Sequence, residues 1–170
     1  MGYSLRIGEA TICPDITKNE DWAYSTVSIK AGDVRLDNAP AFGEPTDYTN
    51  SRWPSYTAWA NFVRFIVDHV NDEFEQLFYL GRLYGESEPG SDDYMCLIKT
   101  HPGVALIHED HKSVIDRTMQ MLKEKFPDAE ANYDADGNEH ANGALCRLTW
   151  LKFWIDWALE NCKIPVFENS

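Results

Sequence analysis

Leu145, Leu148, Leu151, Ile155, Ala158, Leu159 and Cys162 recur at helical spacing, and Trp150, Phe153, Trp154 and Trp157 add an aromatic flank to the same stretch. Only Lys152, Asp156 and Glu160, at four-residue steps, keep a continuous polar stripe. Each large apolar side chain left in water forgoes roughly 1.5–3 kcal/mol. A helix with so narrow a wet side therefore has to lie in the middle of a core, with the rest of the chain wrapped around it. Of the 170 residues 44% are hydrophobic and 13% aromatic, enough for one such core and too few in length for two full-sized domains. A single domain over 1–170 is expected.

The wrapping elements are legible in outline. Tyr3, Leu5 and Ile7 alternate with polar neighbours, and the alternation restarts at Ala10 and Ile12 after Gly8-Glu9, which predicts a hairpin turn there. Ala23 to Lys30 and Val34-Arg35-Leu36, separated by Ala31-Gly32-Asp33, predict a second hairpin. From Asp37 through Pro54, three prolines and Gly43 describe an irregular excursion. Tyr56, Trp59, Ala60, Val63, Ile66, Val67 and Val70 then fall on one helical face, and Asn71 caps a short helix from Phe74 to Leu80. Tyr94 to Thr100 reads as one or two helical turns, Val104 to Ile107 as a brief buried strand, and about Glu109 to Phe126 as a helix stopped by Pro127. Asp128 to Gly143 is acidic and turn-rich. Ile164 to Phe167 fits a sheet edge with Pro165 on its outer side. Strands first and helices later predict an α+β fold: N-terminal antiparallel β-hairpins packed on a helical layer with a buried, Trp-rich C-terminal helix.

Fifteen Lys plus Arg against 28 Asp plus Glu give a net charge of −13, which repels phosphate backbones and argues against direct nucleic-acid or anionic-membrane binding. Acids concentrate at Asp68, Asp72, Glu73 and Glu75, at Glu86, Glu88, Asp92 and Asp93, and at Asp128, Glu130, Asp134, Asp136 and Glu139. The plain reading is a solvated surface; the alternative is a decoy that imitates the phosphate array of DNA and occupies a basic protein. No apolar run reaches about 18 residues, and Met1 to Ile7 has no basic start or apolar stretch, so a cytoplasmic protein that neither spans a membrane nor is secreted is expected. Cys13, Cys96, Cys146 and Cys162 lie 83, 50 and 16 residues apart, without a C-x-x-C pair or zinc spacing, and read as reduced, mostly buried thiols.

Three stretches carry candidate chemistry. Asn50-Ser51-Arg52-Trp53-Pro54-Ser55-Tyr56 brings hydroxyls, an amide, an arginine and two aromatics to a helix N-terminus. There Arg52 can hold an anion, Trp53 and Tyr56 can stack on a ring, and Ser51 and Ser55 can donate hydrogen bonds. The same residues also make an ordinary capped helix start. His101, His108 and His111 with Glu109 and Asp110 form a weak metal alternative, since His108 and His111 are three apart and share a helical face. Asn132 to Asn138 matches the opening half of a calcium loop, but the closing carboxylate is replaced by Gly143 and the ninth position is His140. No nucleophile elbow, P-loop, dinucleotide fingerprint or S-x-x-K is present, which lowers the expectation of catalysis. No cofactor is expected.

Asn50 to Tyr56 with Trp59 and Phe62, then His101-Pro102-Gly103, then LTWLKFWIDWALENCKIPVF from Leu148 to Phe167, following a Tyr-Ser-Leu-Arg-Ile-Gly opening, resemble a group of small bacteriophage- and prophage-encoded proteins. The group has no established activity, so the resemblance implies a context, a host cytoplasm, and no catalytic residues. The expected function is a non-enzymatic phage-type accessory protein that binds or sequesters a small polar, nucleotide-like anion. The alternatives are an acidic protein–protein inhibitor or DNA mimic blocking a basic host factor, and a metal-dependent hydrolase on His101, His108 and His111. The acidic surface, with six Trp and eight Tyr mostly needed inside, leaves room for a homodimer, though no heptad pattern or isolated apolar stripe demands one.

Overall fold

The central helix of the computed structural model, α3 (Glu139–Asn161), has Leu148, Trp150, Trp154, Ile155 and Ala158 fully buried. The structure describes residues 4–12, 27–29, 34–41, 48–78, 82–84, 103–132 and 139–169. Around α3 are packed α1 (Tyr56–His69), α2 (Glu109–Lys125) and strand β1 (Leu5–Ile12). The remaining strands are β2 (Val27–Ile29), β3 (Ser51–Arg52), β4 (Arg82–Tyr84), β5 (Gly103–Leu106) and β6 (Pro165–Asn169). A short 3₁₀ helix, Asp72–Phe78, follows α1. The fold is α+β, with an antiparallel sheet and a Trp-rich C-terminal helix in the core. Among the described residues no helix is long and apolar enough to cross a membrane.

The sheet runs β2-β1-β6-β5-β4, with β3 also paired to β1, and every pairing is antiparallel. Two local expectations are corrected by it. Gly8-Glu9 is no turn: both residues lie inside the continuous β1, opposite Val166 and Pro165. The break in alternation marks a change of partner, from β6 along Leu5 to Glu9 to β2 along Ala10 to Ile12. Likewise β6 is an interior strand between β1 and β5, not an edge. Pro165 is tolerated because it opens the strand, where its missing N–H is not needed, while its carbonyl accepts from Ile107 N–H at 2.8 Å. The described partner of Val34-Arg35-Leu36 is also different from the hairpin expected. Arg35 bridges to Thr49, and Leu36 N–H donates to the Tyr48 carbonyl at 3.1 Å.

Asn50 explains why the excursion before Pro54 returns to one place. Its backbone N–H donates to the Val34 carbonyl and its carbonyl accepts from Ile7 N–H. Its side chain repeats the pattern: Oδ1 accepts from Val34 N–H at 3.0 Å and Nδ2 donates to the Ile7 carbonyl at 2.7 Å. A fully buried amide thus sews segment 34–36 to β1 with no polar atom wasted. Tyr48, two residues earlier, turns the chain with φ of 62°, a left-handed conformation that a bulky residue adopts at a cost. Arg35 sits 5.6 Å over its ring.

Elsewhere the helix ends follow ordinary chemistry. Ser55 Oγ accepts from Ala58 N–H at 3.1 Å and starts α1. Lys125 Nζ donates to the His69 and Val70 carbonyls at 3.2 Å each and closes it. Asn71 Oδ1 accepts from Glu73 N–H, so the residue expected to cap a helix does so, over a 3₁₀ helix; its Nδ2 donates to Thr118 on α2. At the other end of the chain, α3 begins six residues before the apolar pattern, because Ala141, Gly143 and Ala144 are small enough to be buried and Asn142 Oδ1 accepts from Glu130 N–H at 2.8 Å.

Candidate functional site

The residues expected to bind a ligand divide between the interior and the surface. Ser51 and Arg52 form β3 on β1, opposite Arg6 and Leu5, and both are buried. Arg52 is 0% exposed, its guanidinium 5.4 Å over the Trp150 ring. Trp53, the next residue, is 56% exposed. Ser55 is spent as the α1 cap. Tyr56 opens α1, and its side chain lies outside the described residues. The stretch therefore supplies a buried cation and, at the surface, an indole and a helix cap.

Behind Arg52 lies a cluster that the sequence did not single out. Arg52 and Arg147 both lie near the Cys146 thiol and pull its pKa down, but burial outweighs them and pushes it up to about 11. Such a thiol stays protonated at neutral pH and is no nucleophile. Arg147 is oriented from within its own helix, its Nη1 donating to the Gly143 carbonyl at 3.2 Å. Its guanidinium stands 5.8 Å over the Phe62 ring of α1.

That pair opens a cleft between α1 and α3 of about 280 Å³, at the small end of ligand sites. Phe62 and Phe65 wall one side, and Arg147, His140 and Asn61 bring a guanidinium, an imidazole and an amide to it. The His140 ring stacks on Phe65 at 6.0 Å and 26°. Gly143 and Ala144 line the α3 side, and their lack of bulk leaves the space. Among the described residues no carboxylate lines this cleft, in a chain of net charge −13. A basic, ring-walled recess without an acid suits a flat anion. The available signal was a stripe on α3, His140, Gly143, Ala144 and Arg147, at spacings 3, 4 and 7 from its first member.

The histidine alternative is placed as follows. His101 is outside the described residues. His108 is exposed, while His111 is fully buried at the start of α2 with its Nδ1 accepting from His108 N–H at 2.9 Å. That nitrogen is engaged in holding the helix start, and His111 also packs 5.7 Å from the Phe167 ring. Among the described residues no three His, Cys, Asp or Glu side chains gather as metal ligands. Residues 133–138 of the calcium-like loop are not described; His140 and Gly143, at its closing positions, belong to α3.

The described acids along the α2–α3 seam are interleaved with bases. Lys152 reaches Asp116 at 2.5 Å and Asp156 at 3.1 Å, Lys112 reaches Asp156 at 3.4 Å, and Arg117 reaches Glu73 at 2.8 Å. This seam is of mixed sign, unlike the uniform rows a phosphate mimic needs. Residues 86–93, 134 and 136, which hold other acids, lie outside the described part. No protein-family model, curated protein or solved structure matches the chain.

Proposed function

We propose that this chain is a non-catalytic binding protein that captures a small anion carrying a flat or aromatic part in the cleft between α1 and α3. It would act as an accessory protein of the phage type, sequestering its ligand in a host cytoplasm. The observation that carries the reading is Arg147, set 5.8 Å over Phe62 and lining, with His140 and Asn61, a recess walled by Phe62 and Phe65. Arg147 would meet the anionic group, Asn61 and His140 would donate hydrogen bonds, and Phe65 would stack on the ring. Arg52 contributes from behind: close enough to influence Cys146, it adds positive potential without touching the ligand.

The test is mass spectrometry of small molecules released when the purified protein is denatured, paired with calorimetric titration of nucleoside monophosphates against wild type and Arg147→Met. An anion released, or bound and weakened at least about tenfold by Arg147→Met, supports the reading. Equal binding by the variant, or neither release nor binding in wild type, removes it.

A further inference from the structure

A second cleft, of about 420 Å³, lies where β1 meets the C-terminal end of α3. Its chemistry differs from the first. Glu9 and Lys163 bring opposite charges to it, Trp157 and Val34 supply apolar wall, and Gly8 contributes no side chain to fill it. Its volume falls within the ordinary range for small-molecule sites.

The carboxylate is held in place before any ligand arrives. Glu9 Oε2 accepts from Lys163 N–H at 2.6 Å and Oε1 from Ile164 N–H at 3.2 Å, capping the turn between α3 and β6. A carboxylate offers about four lone-pair positions, so acceptor positions remain after these two donors. Asn161 is also anchored, its Nδ2 donating to the Trp157 carbonyl at 2.8 Å, which leaves Oδ1 as a second acceptor. Lys163 is exposed, and its ammonium forms no ion pair with Glu9 or any other described residue. A free anion would meet the Glu9 charge and a free cation the Lys163 charge; only a molecule bearing both signs answers both.

We infer that this cleft binds a zwitterion, an L-α-amino acid with an apolar side chain. Its ammonium goes to Glu9 and Asn161 Oδ1, its carboxylate to Lys163, and its side chain against Trp157 and Val34. The site stands apart from the α1–α3 cleft and does not rest on the function proposed there.

Calorimetric titration of the full chain with L-leucine and L-phenylalanine, and with 4-methylpentanoate and 3-methylbutylamine, tests it. The two analogues lack the ammonium and the carboxylate of leucine in turn. At least one amino acid should bind, with each analogue weaker than leucine or undetected if leucine is the binder. Lys163→Met, a change at an exposed side chain, should weaken amino-acid binding at least about tenfold with little effect on the melting temperature. Glu9→Gln should weaken it too, but it alters the turn cap, so Lys163→Met and the analogue series carry the decision. No binding of either amino acid at millimolar concentration, analogues as tight as leucine, or an unchanged affinity in Lys163→Met would each overturn the inference.

Discussion

Three indoles are sealed completely in the core, yet their N–H groups fare differently. Trp150 Nε1 donates to the Thr49 carbonyl at 3.2 Å, tying α3 to the strand that leads into β3. Trp59 Nε1 and Trp154 Nε1 find no acceptor among the described residues. An unpaired buried donor costs about 1–3 kcal/mol in lost hydration, so removing one recovers part of the packing lost with the smaller ring. Trp154→Phe should therefore destabilise less than Trp150→Phe, by about 1–2 kcal/mol in urea denaturation. Equal losses at the two positions would show that the Thr49 bond adds nothing. Arg52 illustrates what a sequence hides at this scale. An arginine between Ser51 and Trp53 reads as a surface anion binder, but pairing of Ser51–Arg52 with β1 buries both residues, and the Arg52 guanidinium ends over Trp150. The residue types were visible; that β1 is the partner that draws this stretch into the interior was not.

Between elements, the joints matter more than the spans. The helical faces of α1, α2 and α3 were legible because a period near 3.6 survives in any window of a dozen residues. The strand partners were not, because pairing is decided by residues far apart, as Ile7 with Asn50 and Glu9 with Pro165. Gly8-Glu9 carries a turn-like signature yet lies within a ladder, and Pro165 carries an edge signature yet opens an interior strand. The candidate cleft was hidden for the same reason: Phe62 and Arg147 are ordinary members of two helices until packing sets one over the other. Asn50 gives the joint that can be tested. Asn50→Asp preserves size and the Oδ1 acceptor but replaces the donor to the Ile7 carbonyl by an acceptor and buries a charge. It should cost about 3 kcal/mol or more, which would be read as a lower denaturation midpoint with an unchanged slope. A variant within about 0.5 kcal/mol of wild type would mean that the backbone bonds of segment 34–36 hold it without the side chain.

At the scale of the molecule, the core and the charge balance act together on the alkaline side. Burial pushes Cys146 up to about 11, against the pull of Arg52 and Arg147, and burial with the charge and hydrogen bond of Glu9 takes Cys162 to about 11 as well. For Lys152, burial works downward, but hydrogen bonds to Asp116 and Asp156 outweigh it and the net shift is upward. All three folded values lie above the ordinary ones, so each group holds its proton more tightly in the native chain than in the unfolded one. The resulting stability is fully present below about 9 for the thiols and is lost as pH rises through about 11. Over the same interval the net charge of −13 grows more negative, which also favours expansion, so the slope of wild type alone does not identify the thiol. Cys146→Ala separates the two: it removes the more deeply buried of the two described thiols while keeping the surface charges. Urea midpoints measured from pH about 8 to about 11 should fall for both proteins, and less steeply for Cys146→Ala. Parallel curves would mean that the Cys146 thiol ionises as easily inside the folded chain as outside it, and that the ring-packed interior around α3 is open to water where the structure closes it.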